Sequence, residues 1–320
     1  MNFRTALMRV SLGSLALLIL AAPASAALFR SYLSVEGSDV NPCTVQLPCR
    51  LLPAALAAVN DGGEIWMLDS ANFNTSTVSI TKSVSILAIP GAVGSVVANG
   101  SAAISINAPA SSVRLNHLSI RSLAGPTHDG IAVVAVGSLL VDNVAIEGVA
   151  NGLYLTGPAA ITIRNSLFRA NSQGIQIYQQ GGAEETVSID NTSFVDNDES
   201  ISALTASTTG FLRVTLSNSV LTGTSNTSVA FGGAVAGAAP VIGSLVRTRI
   251  SGRGPSPTGT GLMVFGALSV VTMSDCQITG YYYGARTVNG LSGVGTLRSM
   301  GNNMFNDVTT NGSFTLVPLQ

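Results

Sequence analysis

The sequence is poor in charged residues, in aromatic side chains and in residues that bind transition metals. Of its 320 residues only 10% are charged and 5% are aromatic, and it contains three cysteines and two histidines. No further Cys or His lies near Cys43 and Cys49, which argues against a zinc site there. Fifteen Lys and Arg against 16 Asp and Glu give no basic excess, so nucleic acid is not an expected partner. We expect no cofactor and no metal ion.

The first 26 residues have the composition of a cleaved export signal. Arg4 and Arg9 precede a short apolar stretch, Leu12 to Leu20, and Ala24 to Ala26 form a small-residue cleavage site. No later apolar run approaches the roughly 18 residues that cross a bilayer, so we expect no membrane span after cleavage. Removal of the two arginines leaves 13 basic and 16 acidic residues, a net charge of −3. The segment predicts a secreted or periplasmic protein.

A repeat of 22 to 29 residues runs through most of the chain. It is anchored on a column of polar residues, and the positions two before and three after each anchor are apolar in all eight repeats. The anchors are His117, Asn143, Asn165, Asn191, Asn218, Arg247, Asp275 and Asn302. The apolar positions are Leu115, Val141, Ile163, Ile189, Leu216, Leu245, Met273 and Met300, then Ile120, Ile146, Phe168, Phe194, Leu221, Ile250, Ile278 and Phe305. A repeat of this length is typical of a solenoid.

Short β-branched segments within each repeat predict stacked strands whose side chains alternate inward and outward. In the clearest unit Ile161 and Ile163 point inward, Asn165 forms a corner, Phe168 begins a second strand and Gly174 precedes a third. Asn and Gly tolerate the positive φ that such corners require. Stacked Asn side chains can also hydrogen-bond to one another. The pattern predicts a parallel β-solenoid with about nine or ten turns.

Residues 27–62 do not follow the repeat and are predicted to form an N-terminal cap. Pro53 precedes an alanine-rich run that predicts a short helix over 51–59, covering the exposed first turn of the solenoid. Cys43 and Cys49 bracket a short loop that a disulfide would close in an oxidising compartment. Residues 63–320 are assigned to the solenoid. Cys276 is interpreted as a small buried hydrophobic residue.

The opening of the chain resembles that of secreted right-handed parallel β-helix proteins of the pectin-lyase-like superfamily. It contains Gly-Ser-Asp-Val-Asn-Pro-Cys over 37–43, Pro48-Cys49, the alanine-rich helix and Gly-Gly-Glu-Ile over 62–65. Later units of Ile-x-x-Asn-x-x-Phe and Gly-Ile-x-Ile type extend the resemblance over residues 31–305. It implies an all-β fold, a single-stranded right-handed parallel β-helix with an N-terminal helical cap. Lyases, hydrolases, epimerases and adhesins share this fold, so it does not define an activity.

Two groups of residues are candidates for catalysis. Asp142, Arg164 and Asp190 point outward on successive turns, which places the two carboxylates about 9.6 Å apart with the arginine between them. This separation is at the upper limit for an inverting glycosidase, about 9.5 Å. The alternative is a surface charge ladder. His128 with Asp129 is the second candidate, and the alternative there is a corner in which Asp favours the turn.

A row of polar residues precedes the third strand on successive turns and is a candidate binding surface. This polar stripe consists of Asp129, Asn151, Gln173 and Glu199. It could bind sugar hydroxyls or simply be a solvated corner. Tyr281, Tyr282 and Tyr283 precede the same corner in a later turn, where they could stack on sugar rings or fill space near the end of the solenoid.

Longer loops at 121–129 and 251–260 lie at this corner, and insertions on a solenoid commonly mark its binding face. We therefore expect a non-catalytic protein with a recognition or structural role, whose partner is a polysaccharide or cell-surface glycan. The alternative is a polysaccharide lyase or glycoside hydrolase that acts on an acidic polysaccharide.

Overall fold

A computed structural model describes residues 28–224, 226–254 and 258–317, so the predicted signal peptide (1–26) lies outside the described residues. The chain forms a β-solenoid of about nine turns. Apart from β26, which pairs antiparallel with β23 and β25, the strands hydrogen-bond in parallel to the equivalent strands of the neighbouring turns, or rungs. Among the described residues no helix is long and apolar enough to cross a membrane. The predicted solenoid is confirmed.

The first half of the chain contains helix α1 (Leu52–Ala58) and strands β1 (Leu28–Leu33), β2 (Val59–Met67), β3 (Ala71–Asn72), β4 (Val78–Ile80), β5 (Val84–Ala88), β6 (Gly94–Ala98), β7 (Ile104–Asn116), β8 (Leu118–Ser122), β9 (Ile131–Asp142), β10 (Ala145–Glu147), β11 (Asn151–Leu155), β12 (Ala160–Arg164), β13 (Leu167–Arg169) and β14 (Gln173–Gln179). The second half contains strands β15 (Glu184–Asp190), β16 (Ser193–Val195), β17 (Glu199–Thr205), β18 (Phe211–Ser217), β19 (Val220–Thr224), β20 (Thr227–Gly233), β21 (Val241–Val246), β22 (Arg249–Gly252), β23 (Thr260–Phe265), β24 (Val270–Ser274), β25 (Gln277–Gly290), β26 (Gly293–Val294), β27 (Thr296–Ser299), β28 (Met304–Thr310) and β29 (Thr315–Leu316).

The strands line three faces, which a rung visits in the order A, B, C. Face A contains β4, the first parts of β7 and β9, and then β11, β14, β17, β20 and β23. Face B contains β2, β5, the ends of β7 and β9, and β12, β15, β18, β21, β24 and β27. Face C contains β6, β8, β10, β13, β16, β19, β22 and the start of β25. The apolar residues point into the space that the three faces enclose.

The predicted repeat register is confirmed from Leu115 to Ile278, because all 14 apolar positions in this range are fully buried. The register predicted for Met300 is wrong by one residue. Met273 pairs with Ser299 instead, and Gly301 rather than Asn302 has the positive φ, 86°. This last corner contains one extra residue, and glycine adopts the left-handed conformation there without a side-chain penalty.

The anchor residues form the predicted ladder at the corner between faces B and C. The seven anchors from His117 to Asp275 have φ between 45° and 54°. Asn191 Nδ2 donates to Asn165 Oδ1 over 2.8 Å, and Arg247 Nε donates to Asn218 Oδ1 over the same distance. The left-handed corner conformation favours asparagine, and the ladder gives these polar side chains hydrogen-bond partners on the neighbouring rungs.

A second ladder, which the sequence analysis did not anticipate, lies inside the corner between faces C and A. Asn197 Oδ1 accepts from the Asn171 backbone N–H over 3.0 Å, and Asn197 Nδ2 donates to the Phe168 carbonyl over 2.9 Å. Asn171 makes the same pair of bonds to Val149 N–H and the Ile146 carbonyl. Both asparagines are buried. Their amides satisfy backbone groups that would otherwise be unpaired inside the coil.

The N-terminal helix and the disulfide are confirmed. Helix α1 buries Leu52 and Ala55 against the first strands, and Cys43 is bonded to Cys49. Strand β1 already pairs in parallel with β2, so the stack extends into the segment assigned to the cap, and the boundary after residue 62 stays a prediction. Cys276 is buried as expected, and its thiol donates to the Ser274 carbonyl over 3.3 Å.

Candidate functional site

The polar stripe lies on four consecutive rungs, at one edge of face A. Asn151, Gln173 and Glu199 occupy equivalent positions at the start of β11, β14 and β17. Asn151 Nδ2 donates to Asp129 Oδ1 over 2.7 Å, and Gln173 Nε2 donates to Glu199 Oε2 over 2.7 Å. All four side chains are half-buried. The structure thus brings these residues together in two hydrogen-bonded pairs that keep further donors and acceptors towards solvent.

Glu199 is the member of the stripe with a perturbed pKa. Burial raises the pKa of Glu199, and hydrogen bonds from Gln173 and Ser202 offset only part of this effect. A carboxyl group with a raised pKa can act as a general acid. Asp129, the other carboxyl of the stripe, lies three rungs away, about 14 Å. An inverting glycosidase needs about 6.5–9.5 Å between its two carboxyls, so the stripe itself contains no such pair.

Two tyrosines and a glutamine extend the stripe across face A, and the sequence analysis missed them. Tyr154 and Gln176 are paired neighbours on β11 and β14, and Tyr178 follows two residues after Gln176. All three are half-buried on the outer side of the coil. The alternation in Gly-Leu-Tyr-Leu and Gly-Ile-Gln-Ile was a sufficient signal, because the residue between two buried positions of a strand points outward.

The later rungs of face A are covered. The Phe265 ring packs over Gly232, where an added Cβ would lie 2.4 Å from a ring atom. The hairpin formed by β25 and β26 folds back as well, since Ser292 Oγ donates to the Gly233 carbonyl over 3.0 Å. Ala230 points outward but is only 3% exposed. Ser202, the equivalent outward residue of β17, is only 4% exposed. The open part of face A therefore extends from β9 to β14 and ends at Glu199, the first residue of β17, so it includes the whole polar stripe.

Tyr281 lies inside the coil, 1% exposed, so of its two predicted roles it fills space, and its assignment as a ligand-binding residue is wrong. It follows Gly280, whose φ is 72°. The ring fills space left by two glycines of neighbouring rungs, Gly252 and Gly261, whose added Cβ atoms would lie 3.1 and 3.4 Å from Tyr281 ring atoms. Tyr281 is buried because small residues lie opposite its large ring. The sequence of a single repeat does not show this arrangement.

Tyr282 and Tyr283 are half-exposed and pack edge to face, with ring centroids 4.7 Å apart. Arg286 stacks on Tyr283, 3.9 Å from the ring centroid. Tyr283 continues the line of the polar stripe, but three rungs beyond Glu199. The stripe and this aromatic pair therefore lie on the same edge of face A but are separated by covered rungs, where Thr260 is fully buried.

Asp142, Arg164 and Asp190 lie in register on face B, as predicted. Arg164 Nη2 is 2.8 Å from Asp142 Oδ2, whereas Asp190 Oδ1 accepts from Ser217 Oγ over 2.6 Å. Burial opposes ionisation of Asp142, but hydrogen bonds from Arg164 and a neighbouring asparagine outweigh it and lower the pKa. Hydrogen bonds from Ser217 and Asn218 lower the pKa of Asp190. Neither carboxyl retains a proton for general acid catalysis at neutral pH.

His128 and Asp129 lie in the loop after β8. The His128 backbone carbonyl accepts from the Ala150 N–H over 2.8 Å, and Asp129 is bonded to Asn151 as described. Among the residues that the structure describes, no hydrogen bond joins the His128 ring to a carboxylate. In the other predicted loop, residues 251–260, Arg253 forms an ion pair of 2.9 Å with Asp196. Residues 255–257 of this loop lie outside the described part of the chain.

A shallow depression of about 390 Å³ lies away from face A, at the corner between faces B and C. It is lined by Asn143, Asn165, Leu118 and Leu167. The Asn165 amide is engaged within its own ladder, so the depression offers less free hydrogen-bonding capacity than the polar stripe. Within the described ranges no group of three His, Cys, Asp or Glu side chains could hold a metal ion.

The sequence comparison agrees with this architecture. Residues 63–221 match a family model described as right handed beta helix region. The fold is a right-handed parallel β-helix, as predicted. No curated protein matches the sequence.

Solved structures of carbohydrate-active proteins are similar in fold. A GH136 lacto-N-biosidase from Eubacterium ramulus is 11% identical with a TM-score of 0.50, over 91% of this chain and 68% of that chain. The pectate lyase Pel9A is 13% identical with a TM-score of 0.50, over 92% and 78%. An alginate lyase from Paenibacillus sp. str. FPU-7 is 13% identical with a TM-score of 0.50, over 90% and 99%. At these identities the similarity shows the fold alone.

Proposed function

We propose that this protein is an exported glycan-binding protein that holds its ligand on the open part of face A without cleaving it. The observation that carries this proposal is the polar stripe in register beside Tyr154 and Gln176. Together they present amide, carboxylate and phenol groups on consecutive rungs of a rigid wall. Phenol rings pack on the apolar faces of sugars while amides and carboxylates bond to hydroxyl groups.

Two observations support binding over cleavage. The two carboxyls of the stripe are three rungs apart, and Asp142 and Asp190 on face B have lowered pKa values. The disulfide between Cys43 and Cys49 is consistent with secretion or a periplasmic location, since such bonds persist in oxidising compartments. We infer that the export signal predicted over 1–26 is used.

Glycan-array binding tests the proposal. We expect the mature protein to bind specific glycans, and the double variant Tyr154→Ala, Gln173→Ala to lose at least tenfold in affinity. A matched control is Thr162→Ala, Ser188→Ala, which removes two exposed side chains from face B and should leave binding unchanged. A third variant, Tyr282→Ala with Tyr283→Ala, shows whether the distant aromatic pair contributes. Equal loss in the face A and face B variants, or no glycan bound by the wild type, would contradict the proposal.

A second candidate, a glycoside hydrolase or polysaccharide lyase, is favoured by one observation: the raised pKa of Glu199. Incubation with a panel of polysaccharides, followed by assays for new reducing ends and for ultraviolet-absorbing unsaturated products, separates the two functions. Turnover that disappears in Glu199→Gln but survives in Asp142→Asn would establish catalysis on face A. We expect no turnover with any substrate.

A further inference from the structure

We propose that face A selects glycans without acidic groups, an inference that rests on the proposed function and names the ligand class. The first ground is charge. Strands β11, β14, β17, β20 and β23 contain no Lys or Arg. The charged side chains of the stripe, Asp129 and Glu199, are both acidic. A uronate laid along this wall would meet carboxyl groups and no positively charged partner on these strands, an arrangement that weakens its binding.

Three arginines, two on face C and one at the end of face A, are already engaged. Arg121 and Arg169, on face C beyond the corner, both form ion pairs of 2.8 Å with Glu147. Arg286 is the arginine at the far end of face A, where its guanidinium stacks on Tyr283. It lies three rungs beyond Ser202, a distance of about 14 Å. None of these guanidinium groups faces a ligand held between Tyr154 and Gln176.

A bridging calcium ion does not rescue the binding of acidic glycans. Such a bridge needs several oxygen ligands around one ion. Asp129 and Glu199 are too far apart to share an ion, and each is hydrogen-bonded to an amide. The amide and carboxylate groups suit the hydroxyl groups of neutral sugars instead, because they supply both donors and acceptors.

Isothermal titration with defined oligosaccharides tests this selectivity. The probes are hexamers of glucose, xylose and mannose against hexamers of galacturonate and mannuronate, each at 20 and 500 mM NaCl. We expect at least one neutral hexamer to bind with a Kd that salt changes less than twofold. Both uronate hexamers should bind at least tenfold more weakly, and 1 mM CaCl₂ should not improve them.

A charge-introducing variant gives an independent readout. Gln176→Arg places a cation on face A and should raise affinity for uronate hexamers about tenfold at low salt, with the gain lost at 500 mM NaCl. Ser188→Arg adds the same charge to face B and should leave uronate affinity unchanged. Thermal unfolding of both variants confirms that they fold.

The outcomes separate the two proposals. Tighter binding of uronates than of neutral hexamers by the wild type, weakened by salt, overturns the selectivity and leaves glycan binding standing. Equal gains in the two arginine variants would also overturn it, because the response would then not depend on face A. Binding of no glycan in either class, on the array or in solution, sinks the proposed function and the selectivity with it.

Discussion

Glu185 is a carboxyl group enclosed by the coil. It points inward from β15 and is fully buried, and neither of its oxygens has a hydrogen-bond partner among the described residues. Gln179, at the same corner, is also buried with an unpartnered Oε1, while its Nε2 donates to the Phe211 carbonyl over 3.1 Å. A protonated Glu185 has an O–H to donate, whereas an ionised one has only acceptors. The surroundings therefore favour the neutral carboxyl.

This burial predicts a loss of stability as pH rises. Burial raises the pKa of Glu185 from 4.5 to about 7. The buried neutral carboxyl of Glu185 makes its full contribution to stability below the pKa of the unfolded state, 4.5. This contribution is lost as the pH rises through the pKa of the folded state, about 7. Each pKa unit corresponds to about 1.4 kcal/mol, so the shift is worth about 3 kcal/mol. Urea unfolding from pH 4.5 to 8 measures it.

The variant Glu185→Gln should remove this part of the pH dependence, because a neutral amide replaces a group that must ionise. Compared with the wild type, it should gain stability progressively above pH 5. Glu184→Gln is a matched control, since Glu184 is the exposed neighbour on the same strand, and its profile should follow the wild type. A Glu185→Gln profile parallel to that of the wild type would contradict the assignment.

At the scale of the strand and its corner, the internal asparagine ladder is expected to matter more than the outer one. Replacement of Asn197 by Ala leaves the Asn171 N–H and the Phe168 carbonyl unpaired inside the coil. Each buried unpaired group costs about 1–3 kcal/mol, so we expect a loss of about 2–6 kcal/mol for the two groups. Chemical denaturation measures the free energy of unfolding.

Asn191→Gly is the comparison in the outer ladder, because glycine keeps the φ of 45° without backbone strain. Asn191 is exposed and bonds to the Asn165 side chain rather than to backbone groups. Water replaces that partner, so the loss should stay within about 1 kcal/mol. Equal losses in the two variants would mean that burial does not distinguish the ladders.

The sequence predicted the strand pattern because inward residues such as Ile163 and Phe168 recur at fixed positions, and one-residue alternation is enough to assign a strand face. It also predicted the corners, since Asn165 and its equivalents have the positive φ that Asn tolerates. Burial of Tyr281 could not be predicted, because it depends on glycines in two neighbouring rungs. The register shift at Gly301 followed from one extra residue that the apolar spacing did not reveal.

The candidate site was predicted in part. The position of the polar stripe followed from the repeat, because equivalent residues of successive rungs stack. The pairing within it did not follow, since the choice of Asp129 for Asn151 and of Glu199 for Gln173 depends on side-chain rotamers. Covering of the later rungs by the β25–β26 hairpin depends on contacts between residues 59 positions apart, Gly233 and Ser292. Sequence spacing carries no signal for such contacts.

Across the whole molecule, stability should vary along the coil axis, because each rung contacts mainly its neighbours. Central rungs are sealed by the stacked rings of Phe168 and Phe194, whose centroids are 5.1 Å apart. The last described rungs expose more apolar surface, with Met304 53% and Leu316 72% exposed. We expect amide hydrogen exchange to be slowest in β13 to β18 and fastest in β27 to β29.

Reduction of the Cys43–Cys49 bond provides an internal comparison for the exchange experiment. It should speed exchange in β1 and α1 and leave the central rungs unchanged, because the constraint acts on the capping segment. Uniform exchange along the coil, or acceleration of the central rungs on reduction, would contradict nearest-neighbour stabilisation.

A crystal structure of the mature protein with a bound neutral oligosaccharide tests the central claim most directly. We predict density on the open part of face A, with sugar hydroxyl groups bonded to Asn151 and Gln173 and a ring packed on Tyr154. Density confined to the Asp142–Arg164–Asp190 row, or to the depression beside Asn143, would contradict the account.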